Sequence, residues 1–477
     1  MMIDKSILRS TTLLLIFFAA CRVANGQEID PLETTIQANQ LSDASKKLGV
    51  VDPGSGILNV TIPLINARSG SMNIPIGISF NAQGRRYNEK ASWVGYGWSL
   101  DYGGKLNRQV NGLPDDIPLE DFSGNFSHVR GYLNHSLTNA DLPEDGQHPE
   151  YQNAGYGTMD YQPDYFRYSI LGSTGQFALE RGSDPCSGDV VGSAIELPKS
   201  TNTISTDYST APNEGDYQDW ECFDFHLSLN AFQIENQSGI KYTFEQGNRT
   251  RFESGNSSRC GSLPLCQYEY FNSWNLSQIK DVYDVVCATY NYSSNFINSS
   301  NEYQNQSKTV FYNNSNFNSS SSQTDKLINS VKYIESIDLI NGYVVDFTRT
   351  TLSSGQIYLT EIKYSDGNDL ITRVDLNYDH SDPDQSILTS VTYYNSHLEV
   401  VDQIEFEYYD AAPLHRGPDH WGFFTYSPSS NRIPAIQYIQ QDVPSWAQGG
   451  TATRWPDFDY AIHKNLKSIQ YKSGKKE

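Results

Sequence analysis

A short acidic and aromatic run near residue 420 is the arrangement best suited to acid–base chemistry in this sequence. Asp419 directly precedes His420, so a carboxylate is available to orient an imidazole that acts as a general base. No Gly-x-Ser-x-Gly segment and no suitably placed cysteine supplies a nucleophile to accompany this pair. The pattern therefore favours a turn in which Trp421 is buried and His420 bonds to the backbone.

A second acidic run offers oxygen ligands for a metal ion. Asp366 and Asp369 flank Gly367 and Asn368, and carboxylate oxygens are ligands that Ca²⁺ accepts. The other ligands of a calcium loop are missing, so the run predicts a hairpin turn instead. The nine histidines are scattered without metal-ligand spacing. We therefore predict no catalytic residue, no metal site and no cofactor, and we expect the protein not to be an enzyme.

The cysteines suggest a disulfide in an exported chain. Cys260 and Cys266 lie around Gly-Ser-Leu-Pro-Leu, and a turn there would bring them together, so they are the best candidate pair. A bond between Cys186 and Cys222 is a weaker alternative. The odd number of cysteines beyond residue 21 leaves a free thiol, for which Cys287 in an apolar run is a candidate. A small buried side chain is its favoured role.

The N-terminus resembles a secretory signal. A positively charged start precedes the apolar run 13–20, which is too short to span a bilayer. Small residues up to Gly26 fit cleavage after that residue, so 1–26 is predicted to be a signal peptide. Lipidation of Cys21 in a degenerate lipobox is the alternative. No other segment of the sequence is apolar enough to span a membrane, and we expect a secreted or outer-surface protein.

The charge balance excludes some partners. The chain has 477 residues, 56 acidic and 34 basic side chains, and a net charge of −22. Nucleic-acid binding needs a basic footprint, and an anionic membrane surface would repel this chain. Aromatic residues reach 13%, which is inconsistent with a disordered protein. The composition therefore indicates an acidic folded protein that does not bind nucleic acid.

Apolar residues recur with a period of two rather than 3.6. One run alternates Leu58, Val60, Ile62 and Leu64 with polar or small residues, and Ile74, Ile76, Ile78 and Phe80 do the same after a turn near Gly70. Each run places one face on a core. The sequence predicts an all-β fold of antiparallel sheets or β-sandwich-like units, with long loops and very little helix.

Composition divides the chain into several parts. The signal is followed by a polar leader at 27–48 and an N-terminal β-rich domain at 49–290. The Ser- and Asn-dominated stretch 291–325 is interpreted as a flexible insertion. A second β-rich region at 326–477 follows, and its abrupt end suggests that it is incomplete.

The densest motif runs from Ser92 to Arg108 with the sequence SWVGYGWSLDYGGKLNR and is followed by GLPDD. Two indoles provide large apolar anchors, and the glycines permit positive φ and close backbone approach. The motif predicts a bulged, sharply turned β segment. Its structural residues are Trp93, Gly95, Gly97, Trp98, Gly103, Gly104 and Arg108.

This motif resembles the N-terminal region of RHS/YD-repeat proteins of the Bacteroidota, which are related to toxin-complex and virulence-plasmid shell proteins. Further pieces match that family in order: DYF from Asp164 with GQF, GIKYTF, and SWNLSQI around Trp274. The run Asp419, His420, Trp421 and Gly422 resembles its DHWG segment. The set spans most of residues 50–471, although the closing YPTGG of the family is replaced here.

The resemblance implies a non-catalytic, exported structural part of a shell or surface protein that encapsulates or presents a toxin or effector. No YD-repeat array follows, so the expected partner is a missing C-terminal repeat and toxin region or the product of an adjacent gene. The alternative is a secreted adhesion module that binds a glycan or host protein at a cell surface. Abundant tyrosine, tryptophan and asparagine support that alternative through ring stacking and amide hydrogen bonds.

Overall fold

The first strands follow directly from the alternation of apolar and polar residues. A computed structural model describes residues 49–51, 58–81, 89–116, 131–134, 160, 162–184, 189–212, 225–254, 267–310, 318–367, 369–382, 385–409, 416–419, 421, 423–426, 455 and 457–473. The signal peptide, the polar leader and the alternative lipidation site lie outside these residues. All described residues belong to one unit, Lys46–Glu477.

The fold is all-β, as the sequence predicts, with large antiparallel sheets. The strands of the first half are β1 (Gly49–Val51), β2 (Leu58–Ser69), β3 (Met72–Asn81), β4 (Trp98–Asp101), β5 (Gly104–Gln109), β6 (Tyr165–Ile170), β7 (Ser173–Asp184), β8 (Asp189–Glu196), β9 (Thr203–Pro212), β10 (Phe225–Glu235), β11 (Lys241–Gln246), β12 (Arg249–Ser254) and β13 (Gln267–Phe271). Those of the second half are β14 (Ser273–Lys280), β15 (Val286–Tyr292), β16 (Ile297–Val310), β17 (Asn318–Val331), β18 (Ile334–Leu339), β19 (Val344–Thr351), β20 (Ile357–Ser365), β21 (Leu370–Asp379), β22 (Ile387–Tyr394), β23 (Val400–Tyr408), β24 (Arg416–Pro418), β25 (Phe424–Tyr426) and β26 (Leu466–Ser473).

Helix is scarce in the described parts of the chain. One α-helix, α1 (Phe458–Ala461), begins at Asp457, whose side chain accepts a hydrogen bond from the Asp459 N–H. A single turn of 3₁₀ helix covers Tyr132–Asn134. No described helix combines the length and apolar character needed to cross a membrane.

The hairpin of β2 and β3 confirms the predicted turn near Gly70, which has a φ of 61°. Ile62 pairs with Ile78, and both side chains are fully buried. A bulge between Pro63 and Ile65 then shifts the register, so Leu64 and Ile65 are both buried although they are neighbours. Simple alternation does not anticipate this shift.

A second sheet contains 16 described strands, and most of its neighbours are consecutive hairpins. Its main path runs β26-β23-β22-β21-β20-β19-β18-β15-β14-β5-β6-β7-β8, with β11, β10 and β9 branching from β14. The sheet is continuous across residue 326, because β15 pairs with β18. The predicted boundary between two β-rich regions therefore does not separate two sheets.

The Ser- and Asn-rich stretch differs from its interpretation as a flexible insertion. β16 and β17 form an antiparallel hairpin in which Ile297 pairs with Val331 and Val310 with Asn318. β12 pairs with β17 on the other side, and β13 completes this four-stranded sheet. The correction has a simple cause: backbone hydrogen bonds form a ladder regardless of side-chain polarity, whereas the pattern analysis relies on apolar side chains.

The four-stranded sheet of β1–β4 packs against the 16-stranded sheet and buries a shared apolar core. Tyr393 donates its hydroxyl hydrogen to the Pro63 carbonyl at 2.8 Å. The Arg68 N–H donates to the Tyr364 hydroxyl at 3.3 Å. These bonds join residues that lie far apart in sequence, so the second half of the chain holds the first sheet in place.

Candidate functional site: the Ser92–Asp116 segment and its contacts

The Ser92–Arg108 motif begins with a tight turn. The Gly95 N–H donates to the Ser92 carbonyl at 3.1 Å, and the Ser92 hydroxyl donates to the Trp98 carbonyl at 2.6 Å. Between them, Val94 and Tyr96 are buried. The predicted sharp turn is thus present, and the side chain of Ser92, the first residue of the motif, stabilises this turn.

Trp98 is the central anchor of this segment and is only 2% exposed. Its ring lies against Phe80 and Phe406, with centroids 5.1 Å and 4.9 Å away. Its indole N–H donates to the Tyr408 hydroxyl at 2.9 Å, and Tyr408 donates in turn to the Leu388 carbonyl at 2.6 Å. Burial raises the pKa of Tyr408, so the phenol keeps the proton that it donates.

Trp93, the other indole, is half-buried and contacts Tyr333 with ring centroids 5.0 Å apart. Its carbonyl accepts a hydrogen bond of 2.8 Å from the Leu359 N–H at the start of β20. Two residues after Val94, the Tyr96 N–H donates to the Ser386 carbonyl at 2.9 Å, just before β22. The motif is therefore fastened by its backbone to two strands of the large sheet.

Gly97 lies where a side chain has no space. Its φ is 77°, and a Cβ there would be 2.6 Å from the Phe80 ring. Gly95 has the same kind of backbone, with a φ of 101°, and lies against Leu388. These glycines let the chain turn closely over the core residues that Trp98 also contacts.

Gly103 and Gly104 carry the chain from one sheet to the other, since β4 belongs to the four-stranded sheet and β5 to the large one. Gly103 has a φ of 117°, and a Cβ there would lie 2.5 Å from the Tyr290 hydroxyl. A Cβ on Gly104 would lie 3.1 Å from Leu276. The glycine pair thus forms the crossover between the two layers of the core.

Arg108 ends the motif with a buried charge. Its Nε donates to Asp164 and its Nη1 to Asp116, both at 2.6 Å. The guanidinium also lies over the rings of Phe166 and Tyr270, 5.6 Å and 5.8 Å from their centroids. Its Nη2 is buried and makes no hydrogen bond.

Asp115 completes the group around Arg108. The Asp164 N–H donates to the Asp115 carboxylate at 3.0 Å, and the Asp115 N–H donates back to Asp164 at 3.0 Å. Burial raises the pKa of Asp115 well above its usual value, and the charge of Asp164 adds to that rise. Burial also raises the pKa of Asp164, although Arg108 opposes the effect. Three carboxylates around one guanidinium thus favour a proton on Asp115.

This cluster holds chain segments together. Asp164 accepts the Asn111 N–H at 2.8 Å, so one carboxylate bonds the guanidinium and the backbone of the following loop. Nearby, Asp160 accepts the N–H groups of Leu113 and Gln162 at 2.6 Å and 2.9 Å. The arrangement fixes the GLPDD loop to the residues before β6.

Trp274, the anchor predicted in the SWNLSQI piece, is also fully enclosed. Its indole N–H donates to the Leu229 carbonyl at 3.1 Å. Its ring meets Phe232 edge-on at 4.9 Å and Phe166 at 5.6 Å. Phe166 also faces Arg108, so the two predicted features share one aromatic cluster.

The DHWG run is partly described and differs from its prediction. Asp419 is buried, and its carboxylate accepts the N–H groups of Trp421 and Phe423, both at 2.8 Å. This confirms a turn. Trp421, however, is 67% exposed, because the turn directs the indole outward instead of into the core. His420 and Gly422 lie outside the described residues.

The other predicted features have mixed outcomes. Cys260, Cys266, Cys186 and Cys222 lie outside the described residues, whereas Cys287 is a free, buried thiol as predicted. Asp366 forms the predicted turn by accepting the Asp369 N–H at 2.8 Å. In the parts of the chain that the structure describes, no group of three His, Cys, Asp or Glu side chains is arranged to hold a metal ion.

The carboxylates that surround Arg108 were not predicted from the sequence, although each lies in one of the motif fragments. Asp115 and Asp116 belong to GLPDD, and Asp164 opens the DYF piece. The signal available in the sequence was that both fragments contain acidic residues, whereas the motif contains a single arginine. Only folding shows that these pieces meet.

Comparisons with known proteins add little to this geometry. No protein-family model matches the sequence, and no curated protein matches it. The solved N-terminal domain of effector protein SpvB from Salmonella typhimurium strain LT2 aligns with 74% of this chain and 94% of its own, at 9% identity and a TM-score of 0.24. A likeness this slight carries no argument about fold or function.

Proposed function

We propose that this chain is a non-catalytic structural wall of an exported shell or surface protein of the RHS/YD type, which encapsulates or presents a toxin or effector. The observation that carries the proposal is the burial of the motif side chains. Trp98, Arg108 and Trp274 are 2%, 8% and 1% exposed, and all three join strands to one another. Side chains buried in this way support a structural role, because they contact other strands and are not offered to a substrate.

The large sheet supports the same role. Its hairpins follow one another in sequence from β18 to β23, and β26 closes the path. Among the described strands, β26 pairs only with β23, for example through Ile404 and Tyr471, and lies at the end of the strand order. A repeat array, in the same polypeptide or from an adjacent gene, would extend the sheet from this edge.

Two measurements test the proposal in the native host. Cross-linking mass spectrometry on the chain isolated with its partners is expected to join β26 to a YD-repeat polypeptide. Limited proteolysis is expected to spare the enclosed effector until the wall is unfolded. A chain that purifies alone, without cross-links at β26 and without a protected partner, contradicts the structural role.

Export is part of this proposal. Mass spectrometry of the N-terminus in the extracellular and membrane fractions distinguishes cleavage after Gly26 from lipidation of Cys21. An uncleaved N-terminus in the cytoplasm contradicts both.

A glycan-binding role is the second candidate, because the segments around β25 and α1 carry exposed aromatic rings. Trp421, Trp455 and Phe458 are 67%, 76% and 75% exposed. Tyr426 lies nearby, with its ring centroid 5.9 Å from that of Tyr460. Such rings suit stacking on sugars. Binding on a glycan array that is lost in Trp455→Ala, and retained in Ile195→Ser, would favour adhesion over the structural role.

A further inference from the structure

Five hairpins of the large sheet are closed by the same turn. In each, the N–H of the first residue donates to the carbonyl of the fifth, and the N–H of the fourth residue donates to the carbonyl of the first. The fourth residue has a positive φ. The turns are Asn236–Ile240, Asp281–Val285, Leu339–Tyr343, Leu352–Gln356 and Asn395–Glu399.

Four of these turns lie at one end of the sheet and one at the other, because successive antiparallel hairpins alternate between ends. The turns after β10, β14, β18 and β22 share one end, whereas the turn after β19 lies at the opposite end. Neighbouring turns at the shared end touch. A Cβ on Gly239 would lie 3.0 Å from Val282 of the next turn, and a Cβ on Gly367, in the β20–β21 turn at the same end, would lie 3.6 Å from the Gly342 carbonyl.

The turns at the shared end display apolar side chains. Tyr283 is 83% exposed, Leu398 is 55% exposed, and Val282 and Ile340 are each 52% exposed. We call these four residues the apolar rim. The matching turn at the opposite end has Ser353 and Ser354 at its tip. The same backbone turn thus accepts polar residues, and its geometry does not require the apolar ones.

Leu398, in the turn between β22 and β23, occupies a strained backbone position. Its φ is 62°, a backbone region that is unfavourable for residues with a Cβ. The equivalent residue is Gly239, Gly342 or Gly355 in three of the other turns. A leucine in place of glycine both strains the backbone and exposes an apolar side chain, and neither effect stabilises the folded chain. Such a residue points to a role outside folding.

The charges around the apolar rim indicate what it binds. The described turn residues at this end carry five carboxylates and no lysine or arginine: Asp281, Asp284, Asp366, Asp369 and Glu399. Lys241, at the start of β11, forms an ion pair with Asp284 at 2.6 Å, and the charge of Lys280, at the end of β14, also lowers the pKa of Asp284, which leaves three carboxylates in excess at this end. The rim is therefore apolar with an acidic surround, which suits a partner that offers apolar and basic side chains together.

We propose that the apolar rim is a docking surface for a protein segment in which lysine or arginine flanks aliphatic or aromatic residues. Six strand spacings of ~4.8 Å separate the β14–β15 turn from the β22–β23 turn, so the rim is about 29 Å long. An extended segment of about nine residues, at ~3.3 Å each, spans that length. This surface goes beyond the structural role proposed above and does not depend on it.

The probe is a phage-displayed library of random linear peptides selected on the purified full chain. Recurrent sequences are synthesised and their affinities measured by fluorescence anisotropy at low and high salt. The enriched peptides are expected to combine basic with apolar residues and to bind more weakly at high salt. The triple variant Val282→Ser/Tyr283→Ser/Leu398→Gly is expected to lower their affinity at least about tenfold.

Two further variants keep the test decisive. Ile195→Ser removes an exposed apolar residue from β8, outside the rim, and the affinity is expected to remain unchanged. Leu398→Gly alone is expected to weaken binding while the fold, followed by circular dichroism, is retained. If the triple variant does not fold, Leu398→Gly and Tyr283→Ser are compared singly with Ile195→Ser.

Other outcomes would overturn the proposal. Enriched peptides without basic residues, or peptides that bind the rim variants as tightly as the original chain, would exclude this partner chemistry. A dimer in light scattering that the rim variants abolish would identify a second copy as the occupant. Binding to phosphatidylglycerol vesicles that the same variants abolish would identify a membrane.

Discussion

The indole N–H of Trp98 donates a 2.9 Å hydrogen bond to the Tyr408 hydroxyl, and the two residues lie 310 positions apart. The bond joins the early motif to β23 of the large sheet. Like the bond from Tyr393 to the Pro63 carbonyl, it fastens the early strands to the second half of the chain, so its loss is expected to lower the stability of the fold.

Trp98→Phe is expected to lower the free energy of unfolding by about 1–3 kcal/mol, because the buried Tyr408 hydroxyl loses a donor and the ring shrinks. Urea unfolding followed by circular dichroism measures the change. A double-mutant cycle with Tyr408→Phe isolates the bond and should give a coupling of about 0.5–1.5 kcal/mol. Strict additivity of the two substitutions would show that the bond contributes nothing.

Gly97→Ala is expected to be far more harmful than Gly70→Ala. Both glycines have a positive φ, but only Gly97 has a ring atom, of Phe80, within 2.6 Å of the new Cβ. The backbone cost alone is about 1 kcal/mol, and overpacking adds about 1–3 kcal/mol at Gly97. Equal losses of unfolding free energy at the two positions would contradict the close approach at Gly97.

Arg108→Met is expected to cost about 3–5 kcal/mol of stability, because it leaves the carboxylates of Asp116 and Asp164 buried without their cation. Arg108→Lys keeps the charge but loses the simultaneous hydrogen bonds to two carboxylates. It should therefore destabilise the protein, but less than Arg108→Met does. Adding Asp164→Asn to Arg108→Met should recover part of the loss in thermal unfolding. If the thermal stability does not recover, the repulsion between the buried carboxylates is relieved in another way.

Asp115 makes stability depend on pH in a particular direction. Burial raises the pKa of its carboxyl in the folded state, so the folded chain holds this proton more tightly than the unfolded chain. The favourable contribution is complete below the unfolded pKa of ~3.9 and is lost as pH rises through the folded pKa. Asp115→Asn removes this dependence, so the variant should gain stability relative to the original chain as pH rises. A difference in unfolding free energy that is constant with pH would rule out a raised pKa.

Leu398→Gly is expected to raise the unfolding free energy by about 1 kcal/mol, because glycine adopts a φ of 62° without strain. Gly355→Leu, in the matching turn at the opposite end of the sheet, should lower it by a similar amount. Chemical denaturation of the two variants tests the pair. A loss of stability in Leu398→Gly would mean that the leucine side chain stabilises the fold and is not kept for binding.

Some of this fold is predictable because the deciding interactions are local. The alternation around Ile62 and Ile78 places one face on a core wherever the strand lies, and Gly70 favours a turn by its own conformational freedom. The Asp366 turn is equally local, since its side chain bonds to a backbone N–H three residues later. These features follow from neighbouring residues.

Other features were missed because apolar patterning does not reveal them or because they depend on distant residues. The β16–β17 hairpin has few apolar residues, so its backbone ladder leaves no periodic signal. Trp421 was expected to be buried because it is large and apolar, yet the turn made by Asp419 directs it outward. The partners of Arg108 are separated from it by up to 56 residues.

The sequence by itself determined the all-β class, the strand alternation and the motif in which glycines and tryptophans concentrate, because these depend on steric limits and burial along a short stretch of chain. The tertiary structure alone decided what that motif does. It brings Tyr408 to Trp98, three carboxylates to Arg108 and four hairpin tips to one end of the sheet. These contacts follow from strand order and register. The free energy of the whole chain determines both, so no single segment encodes them.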